Sequence, residues 1–380
     1  MWSRVWVLFL VVACADAPTA PQFDGPGLAV SVDNMGTHID AYNSNNFSFI
    51  FSATGAKLPT HLISNDGFEY LGTSTACAAD SGIGFTLAPA LTVAGGSPAS
   101  TSTLTVIDSG PGVVKVRVAF NSEYSCPTAT MVSGSTDFTI FPDGRIVRED
   151  SVTPTTQVLT PSASCGCASA QQNFTFSSAW TFDGAGATQI QGDNSAVAPD
   201  VFLACTMYGA THPGLGVSFA NIAGAHTRFH TGATTTHAID FDADATSLAT
   251  DSVTVTSAVQ IGVQIGVGTP TCEQLLVPLV DVPLQIGAVT YPNTDHDGVY
   301  RDVNNGAHTA AFDIVATTKA LPPGFAVSVD LGGADHATIT KTPDPGTAVG
   351  IPQHEADTHY LIFFPDGLAV GETITITPQP

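Results

Sequence analysis

The stretch DFTIFPDGRIVRE, residues 137–149, shows how this chain folds. Residues 138–141 and 145–149 are rich in β-branched and aromatic side chains, which suit strands. Between them, Pro142-Asp143-Gly144 supplies a tight turn, because proline presets φ and glycine accepts a positive φ. The stretch therefore predicts a β-hairpin.

Similar patterns continue on both sides of this hairpin. Residues 113–120 (VVKVRVAF) alternate, which predicts a strand with Lys115 and Arg117 on one face and valines on the other. Residues 252–267 are long and apolar, so we expect a central strand or pair of strands there. The best helix candidate follows, with Thr269 as N-cap and Pro270 at the first helical position.

The composition indicates an all-β protein. The 380 residues include 36 glycines and 25 prolines, which supply turns, and 43% are hydrophobic, enough for a full core. The texture changes after residue 281. We therefore predict a large N-terminal β-sandwich or supersandwich over residues 28–281 and a C-terminal immunoglobulin-like β-sandwich over residues 282–380, which has about seven strand-like runs.

The charge restricts the partners. The formal net charge is −23, with only 10 Lys and Arg side chains. Such a chain repels polyanions, and nucleic-acid binding needs clustered cations, so DNA and RNA are excluded as expected partners. Neutral glycans, cations and proteins remain as ligands, and the acidity also has the simpler interpretation that it keeps an exported protein soluble.

The first fourteen residues, MWSRVWVLFLVVAC, predict export. Arg4 precedes an apolar run at 5–12 that is too short to span a bilayer. The ending LVVAC, residues 10–14, resembles the lipobox of bacterial lipoproteins. The resemblance implies a signal peptide at 1–13, acylation of Cys14 and a lipidated tether at 14–27, which anchors the protein in the cell envelope, at the outer membrane or cell surface.

An ordinary cleaved signal is the alternative, because residues 13–15 and 15–17 both offer an A-x-A site, and the protein would then be secreted.

The cysteine count favours the lipobox. Of seven cysteines, using Cys14 for lipid leaves six for up to three disulfides of open connectivity. These six are Cys77, Cys126, Cys165, Cys167, Cys205 and Cys272. A metal site at the C-x-C of residues 165–167 lacks a second pair at finger spacing.

Residues 34–154 are similar to the galactose mutarotase-like β-supersandwich. The similar segments are NFSFIF (46–51), NDGFEYL (65–71), LTVIDSGPGVVKVRVAF (104–120) and FTIFPDGRIV (138–147). That fold occurs in sugar epimerases and in modules of polysaccharide lyases and glycosidases, so the resemblance implies a supersandwich and a link to carbohydrates. No catalytic motif of the family is present, and no site residue is carried over.

A candidate catalytic group lies in residues 226–230, HTRFH. In a strand, His226, Arg228 and His230 share one face. Two imidazoles flanking a guanidinium are able to bind a substrate carboxylate and move a proton, as sugar lyases and epimerases require. The other interpretation is a solvated strand face. Nearby, Asp240, Asp242 and Asp244 would repel one another unless a cation lies among them.

A candidate calcium loop lies in residues 293–298, NTDHDG, which has oxygen ligands at positions 1, 3 and 5 and glycine at 6. Position 12 is Asn304 rather than Glu, so a simpler site is predicted. Its ligands would be Asn293, Asp295, Asp297 and Asp302. The alternative is an Asx-rich turn at a domain junction.

Three functions compete on these observations. The first is a membrane-anchored binding or structural lipoprotein with a neutral glycan or a protein as ligand. The second is a carbohydrate-active lyase or epimerase that uses the histidine strand. The third is a calcium-dependent adhesin-like protein. The first needs no catalytic motif, and we therefore expect a binding protein rather than an enzyme.

Overall fold

The structure of the protein is a computed structural model. It describes residues 27–43, 47–54, 57–71, 99–125, 128–154, 173–183, 189–191, 202–208, 212–223, 226–234, 238–248, 252–262, 271–301, 306–344, 349–356 and 358–380. The N-terminal tether, Cys14, Asp302 and the cysteines at 77, 126, 165 and 167 lie outside these ranges, so the predictions for them stay predictions.

Fifteen strands precede the helix in the described chain. They are β1 (Gly27–Val32), β2 (Gly36–Tyr42), β3 (Phe47–Ser52), β4 (Pro59–Ser64), β5 (Ala99–Ser109), β6 (Val114–Ser125), β7 (Thr128–Ile140), β8 (Arg145–Pro154), β9 (Asn173–Asp183), β10 (Gln189–Gln191), β11 (Phe202–Tyr208), β12 (His212–Ala223), β13 (His226–Thr234), β14 (Ala238–Leu248) and β15 (Val253–Ile261).

A short helical segment and nine further strands follow. They are α1 (Cys272–Leu276), a 3₁₀ turn (Val277–Leu279), β16 (Leu284–Ile286), β17 (Val289–Tyr291), β18 (Val299–Arg301), β19 (Phe312–Ala316), β20 (Phe325–Asp330), β21 (His336–Thr342), β22 (Ile351–Ala356), β23 (His359–Phe364) and β24 (Thr373–Gln379).

The described strands form five sheets. Three precede α1, with strand orders β1-β2-β3-β4, β10-β11-β12-β15-β8-β7-β6-β5 and β13-β14-β9. Two follow it, with orders β17-β16-β19-β24-β21 and β18-β20-β23-β22. Neighbouring strands are antiparallel except β18 and β20. The all-β sandwich class predicted from the sequence is confirmed.

The hairpin of residues 137–149 forms as predicted. Strands β7 and β8 pair from Ile140 opposite Ile146, and the Phe141 N–H donates to the Arg145 carbonyl at 2.9 Å. Gly144 has a φ of 89°, which glycine adopts without a Cβ clash. This hairpin lies inside the eight-stranded sheet, and β8 therefore has a neighbour on each edge.

Strand β15 lies between β12 and β8, so the prediction of a central strand is confirmed over Val253–Ile261.

The predicted helix start is wrong by two residues. Thr271, not Thr269, is the N-cap, because its side chain accepts from the Gln274 N–H while the Gln274 side chain accepts from the Thr271 N–H at 2.8 Å. This reciprocal capping box fixes the first turn.

Two hydrophobic cores correspond to the two sets of sheets. In the first, Phe49, Phe51 and Phe138 pack edge-to-face with ring centroids 4.9–5.8 Å apart, which joins the four-stranded sheet to the eight-stranded one. In the second, Phe325 stacks on Phe364 at 4.6 Å inside the C-terminal sandwich. Each core buries the apolar face of its own sheets.

A third apolar cluster connects the two sandwiches. Phe141 and Val147 of the hairpin pack with residues of the β18-β20-β23-β22 sheet, and Phe141 stacks on Phe363 at 5.9 Å. Ile146 is buried in the first core, whereas Val147, the next residue on β8, is buried in the third cluster. Val147 therefore lies on the face of β8 that points away from the first core. The C-terminal sandwich therefore covers one end of the outer face of the large sheet.

No helix in the described ranges is long and apolar enough to cross a membrane.

Candidate functional site

A cleft of about 380 Å³ opens where the C-terminal sandwich meets the outer face of the large sheet. Both units contribute to it. Its polar lining is Lys115, Thr139, Arg301, Ser328, Glu355 and His359, and its apolar lining is Val147, Val299 and Leu361. A concave site with an apolar floor and a few convergent polar groups is the usual form of a small-ligand site.

The large sheet presents one straight row of residues to the cleft. Lys115 of β6 lies opposite Thr139 of β7, and Thr139 lies opposite Val147 of β8. Directly opposed residues share a face of an antiparallel sheet. The predicted alternation of residues 113–120 is confirmed, since Val114 and Val116 are fully buried in the first core while Lys115 is turned outward.

The opposite wall comes from alternate residues of the C-terminal strands. Glu355 of β22 forms an ion pair with Lys115, and the Ser328 hydroxyl of β20 donates to Glu355 at 3.0 Å. Gln353, two residues before Glu355, accepts from the Val113 N–H at 3.1 Å. One face of β22 therefore follows the start of β6 closely.

The second cation of the cleft is also paired. Arg301 donates to Asp295 at 2.8 Å and to Asp297 at 2.6 Å. Desolvation acts to lower the pKa of Arg301, but Asp297 and Asp295 outweigh it, so the pKa is raised. The two carboxylates differ in burial, since Asp297 is fully buried and Asp295 is partly exposed. Arg301 therefore stays a guanidinium fixed by two carboxylates.

Unlike the pKa of Arg301, the pKa of Lys115 is lowered. Burial lowers its pKa, Asp108 acts in the opposite direction, and Arg301 lowers it further. The pairing with Glu355 keeps a carboxylate in contact with the ammonium group. Both cations that line the cleft thus have their own acidic partners, so the cleft as a whole presents hydrogen-bonding groups rather than a net positive charge.

The predicted calcium ligands have other partners in the structure. The Asn293 side chain accepts from the N–H groups of Asp297 and Gly298 at 3.2 and 3.1 Å. Asp295 and Asp297 bind Arg301, which puts a guanidinium where a calcium ion was expected. These are the contacts of the Asx-rich turn that the sequence offered as the alternative. Among the described residues no group of three or more His, Cys, Asp or Glu is arranged to hold a metal.

The histidine strand is present as β13, and its backbone register is defined. Arg228 lies opposite Asp244 and His230 lies opposite Asp242 on β14. Arg228 is therefore paired in register with Asp244, one of the three aspartates predicted to repel one another. His226 lies opposite Thr246.

This strand pairs within the three-stranded sheet β13-β14-β9, whereas the described residues that line the cleft belong to the large sheet and to the C-terminal sandwich. On β14, Phe241 is opposite Trp180 of β9, which is buried in the first core. The catalytic role predicted for His226, Arg228 and His230 stays a prediction.

Two of the six cysteines predicted to form disulfides are bonded to each other. Cys205 of β11 and Cys272 of α1 are bonded, with Cα atoms 5.8 Å apart. The bond fastens α1 to the outer face of the large sheet beside the junction with the C-terminal sandwich.

Sequence reasoning missed two buried arginines on β8. Arg145 crosses to the C-terminal sandwich, where it donates to the carbonyls of Gly298 (3.3 Å) and Gly324 (2.5 Å). Arg148 lies in the first core, with Nε 2.8 Å from Asp150. Their signal in the sequence was the scarcity of cations, since only 10 Lys and Arg occur in the chain.

No protein-family model and no curated protein matches this chain. Among solved structures it is similar to the heparan sulfate lyase HepC of Pedobacter heparinus, with 8% identity and a TM-score of 0.39 over 73% of this chain and 42% of that one. It is also similar to the galactosidase domain of the alpha-galactosidase-sucrose kinase AgaSK, with 7% identity and a TM-score of 0.34 over 62% of this chain and 42% of that one.

A third similar structure is the GH36 alpha-galactosidase AgaB of Geobacillus stearothermophilus, with 9% identity and a TM-score of 0.34 over 62% of this chain and 41% of that one. The chain therefore spans less than half the length of each of these structures. A likeness of this size assigns neither an activity nor a site to this chain.

Proposed function

We propose that this protein is a lipid-anchored protein of the cell envelope that binds a neutral glycan in the cleft between its two sandwiches. The observation that carries the proposal is the pairing of charges in the cleft. Lys115 and Arg301 each have a carboxylate partner, while Thr139 and Ser328 add hydroxyl groups above an apolar floor. Such a lining offers donors and acceptors to sugar hydroxyls and little net attraction to sulfates or uronates.

The anchor is a separate part of the proposal. It rests on the LVVAC motif at residues 10–14 and on the even number of cysteines that remains once Cys14 is acylated. A diacylated cysteine would hold the two sandwiches at the membrane surface, where an acidic, disulfide-bonded β protein is stable.

Calorimetric titration of the full chain in detergent with neutral gluco-, manno-, xylo- and galacto-oligosaccharides tests the ligand. Glu355→Gln leaves Lys115 without its carboxylate. We expect this variant to bind the neutral sugar about tenfold more weakly and to bind a uronate-containing oligosaccharide more tightly than the natural protein, because a charged hydrogen bond is replaced by a free ammonium group.

The matched control is Glu372→Gln. Glu372 forms the same type of pair with Lys341, at 2.8 Å, but away from the cleft. It should leave sugar binding unchanged. If no neutral sugar binds, or if both variants weaken binding equally, the proposed ligand is wrong. Release of new reducing or unsaturated ends during the titration would favour the enzyme hypothesis instead.

The anchor has its own test. Cys14→Ser should abolish incorporation of labelled fatty acid and release the protein from the membrane fraction, while Cys205→Ser should leave acylation intact. Acylation that persists without Cys14 would contradict the assignment of Cys14 as the lipidated residue, and absence of acylation in the natural protein would favour a secreted protein.

A further inference from the structure

The cleft opens onto a longer polar track on the outer face of the large sheet. The row Lys115, Thr139 and Val147 is followed by the row Arg117, Asp137 and Glu149. Next comes a row of small residues, Ala119, Ser135 and Ser151, and then a row with Asn121, Ser133 and Thr153. Successive rows are about 6.7 Å apart, so the four rows extend about 20 Å along the strands.

The outer rows form a groove of their own. Its volume is about 430 Å³, and its polar lining is Thr103, Arg117, Ser133, Ser135, Ser151 and Thr153. Ala119 lies in the same lining and is exposed, so its short side chain leaves room between the longer neighbours. The groove and the cleft share strands β6, β7 and β8.

The one cation of this track beyond the cleft, Arg117, is compensated in the same way as the cations of the cleft. Arg117 makes a two-pronged contact with Asp137, with Nε–Oδ1 and Nη2–Oδ2 distances of 2.8 and 2.6 Å. Beyond this pair, four of the six row positions carry hydroxyl groups, and the Thr153 and Ser252 hydroxyls are 3.1 Å apart. A ligand lying here meets the Arg117–Asp137 pair, the exposed Glu149 carboxylate and the hydroxyl groups of the outer rows, with no unpaired cation that would attract an anionic chain.

We infer that the track binds the continuation of a neutral glycan chain whose first sugars occupy the cleft. The inference rests on the proposed function and adds the class of ligand, an extended chain that lies along β6–β8 rather than a single sugar. A linear neutral polysaccharide fits because it is long, narrow and uncharged, and because it offers hydroxyl groups at regular intervals to the rows of the sheet.

The test compares chain lengths within the neutral series that binds in the titration above. A hexasaccharide should bind at least about tenfold more tightly than the disaccharide, since each additional hydrogen bond to a serine or threonine strengthens binding several-fold. Ala119→Phe fills the groove at an exposed position. It should reduce the affinity for the hexasaccharide to that for the disaccharide and leave disaccharide binding unchanged.

Thr290→Phe on β17 is the matched control, because Thr290 is also an exposed strand residue and lies in the C-terminal sandwich. It should change neither affinity, and thermal unfolding should show that both variants fold. Equal affinity for the disaccharide and the hexasaccharide would overturn the track while leaving the cleft as the binding site. Equal loss of both ligands in Ala119→Phe would also overturn it. Absence of binding at every length would instead overturn the proposed function, and the track with it.

Discussion

Arg145 and Arg148 are three residues apart on one strand and lie on opposite faces of the large sheet. Both are fully buried. Arg145 points outward, lies over the Phe141 ring at 4.2 Å, and donates to carbonyls of the C-terminal sandwich. Arg148 points into the first core, where Asp150 is its partner and the Trp180 ring lies 5.7 Å away.

The difference shows that a buried charge has two distinct roles here. On the core face the guanidinium is neutralised by a carboxylate that also accepts from the Thr136 hydroxyl at 2.6 Å. Burial lowers the pKa of Arg148, and Asp150 opposes that effect. On the outer face the guanidinium donates to main-chain carbonyls of the C-terminal sandwich, and its charge also acts on the Asp143 carboxylate of the same hairpin. Arg145 therefore fixes the backbone of one sandwich to the other. Arg148 and its partner therefore stabilise the first sandwich, whereas Arg145 joins the two sandwiches.

The largest effect should come from breaking the core pair. Arg148→Met leaves Asp150 as an unpaired buried charge, which costs about 3–5 kcal/mol of unfolding free energy. Urea unfolding at neutral pH measures it. The double variant Arg148→Met with Asp150→Leu should recover most of the loss, since a packed apolar pair often replaces a buried ion pair. A single-variant cost close to zero would contradict the role given to Asp150.

The disulfide should come next. Replacing Cys205 and Cys272 by serine opens a loop with a sequence separation of 67, which typically costs about 2–4 kcal/mol. The same unfolding measurement reports it, and mass spectrometry of non-reduced peptides checks the pairing. Recovery of Cys205 bonded to a different cysteine would show that the pairing is wrong.

Arg145→Met should have a smaller but more localised effect. It removes charged hydrogen bonds to two carbonyls, and we expect a total cost of about 1.5–3 kcal/mol, because the Met side chain keeps part of the packing on Phe141. Hydrogen exchange should accelerate near Gly298 and Gly324 while the amides of the first core stay protected. Uniform acceleration through both sandwiches would mean that Arg145 does not act at the junction.

The smallest effect concerns the link between Asp66 and His212, 2.7 Å apart, which joins the turn after β4 to the start of β12. Desolvation raises the pKa of Asp66, but hydrogen bonds from Ser64, His212 and the Phe68 N–H outweigh it, and the net pKa is below its ordinary value of 3.8. A depressed folded pKa means that this stabilisation is present above pH 3.8 and is lost as the pH falls through the folded pKa.

Asp66→Asn should therefore cost about 0.5–1 kcal/mol near pH 6, where the carboxylate is ionised, and nothing once the pH is below the folded pKa. Unfolding curves of the two proteins across this pH range measure the difference. Asp366→Asn, at an exposed turn position, serves as the control and should show no comparable dependence. A constant difference at all pH values would show that the Asp66 charge is not responsible.

The sequence predicted the parts that depend on local patterns. The hairpin around Gly144, the alternation of Lys115 with buried valines, the central strand β15 and the all-β class are all confirmed. Each follows from the period of two along a strand or from the turn preferences of Pro and Gly. The helix start was wrong because Thr271 and Gln274 form a capping box that outweighs the Thr-Pro signal two residues earlier.

The candidate site could not be predicted in the same way. The sequence pointed to His226, Arg228 and His230 because they are chemically distinctive and close along the chain, and that prediction stays untested. The cleft is lined by Lys115, Ser328 and Glu355, which are far apart along the chain and which no local pattern joins. The NTDHDG loop matched a calcium pattern, but only the fold shows that Arg301 reaches Asp295 and Asp297.

By itself, therefore, the sequence determined the strands, the turns and which face of each strand is apolar, because these depend on neighbours within a few residues. Tertiary structure alone decided which outward faces meet. Residues 138–141 and 145–149 specify a hairpin wherever they occur. The C-terminal sandwich packs against one end of the large sheet, and this packing makes Val147 part of the apolar floor of the cleft. The rows of β6–β8 that it does not cover form the open groove. The physical reason is that contacts between distant segments depend on the geometry of whole sheets, which no short pattern records.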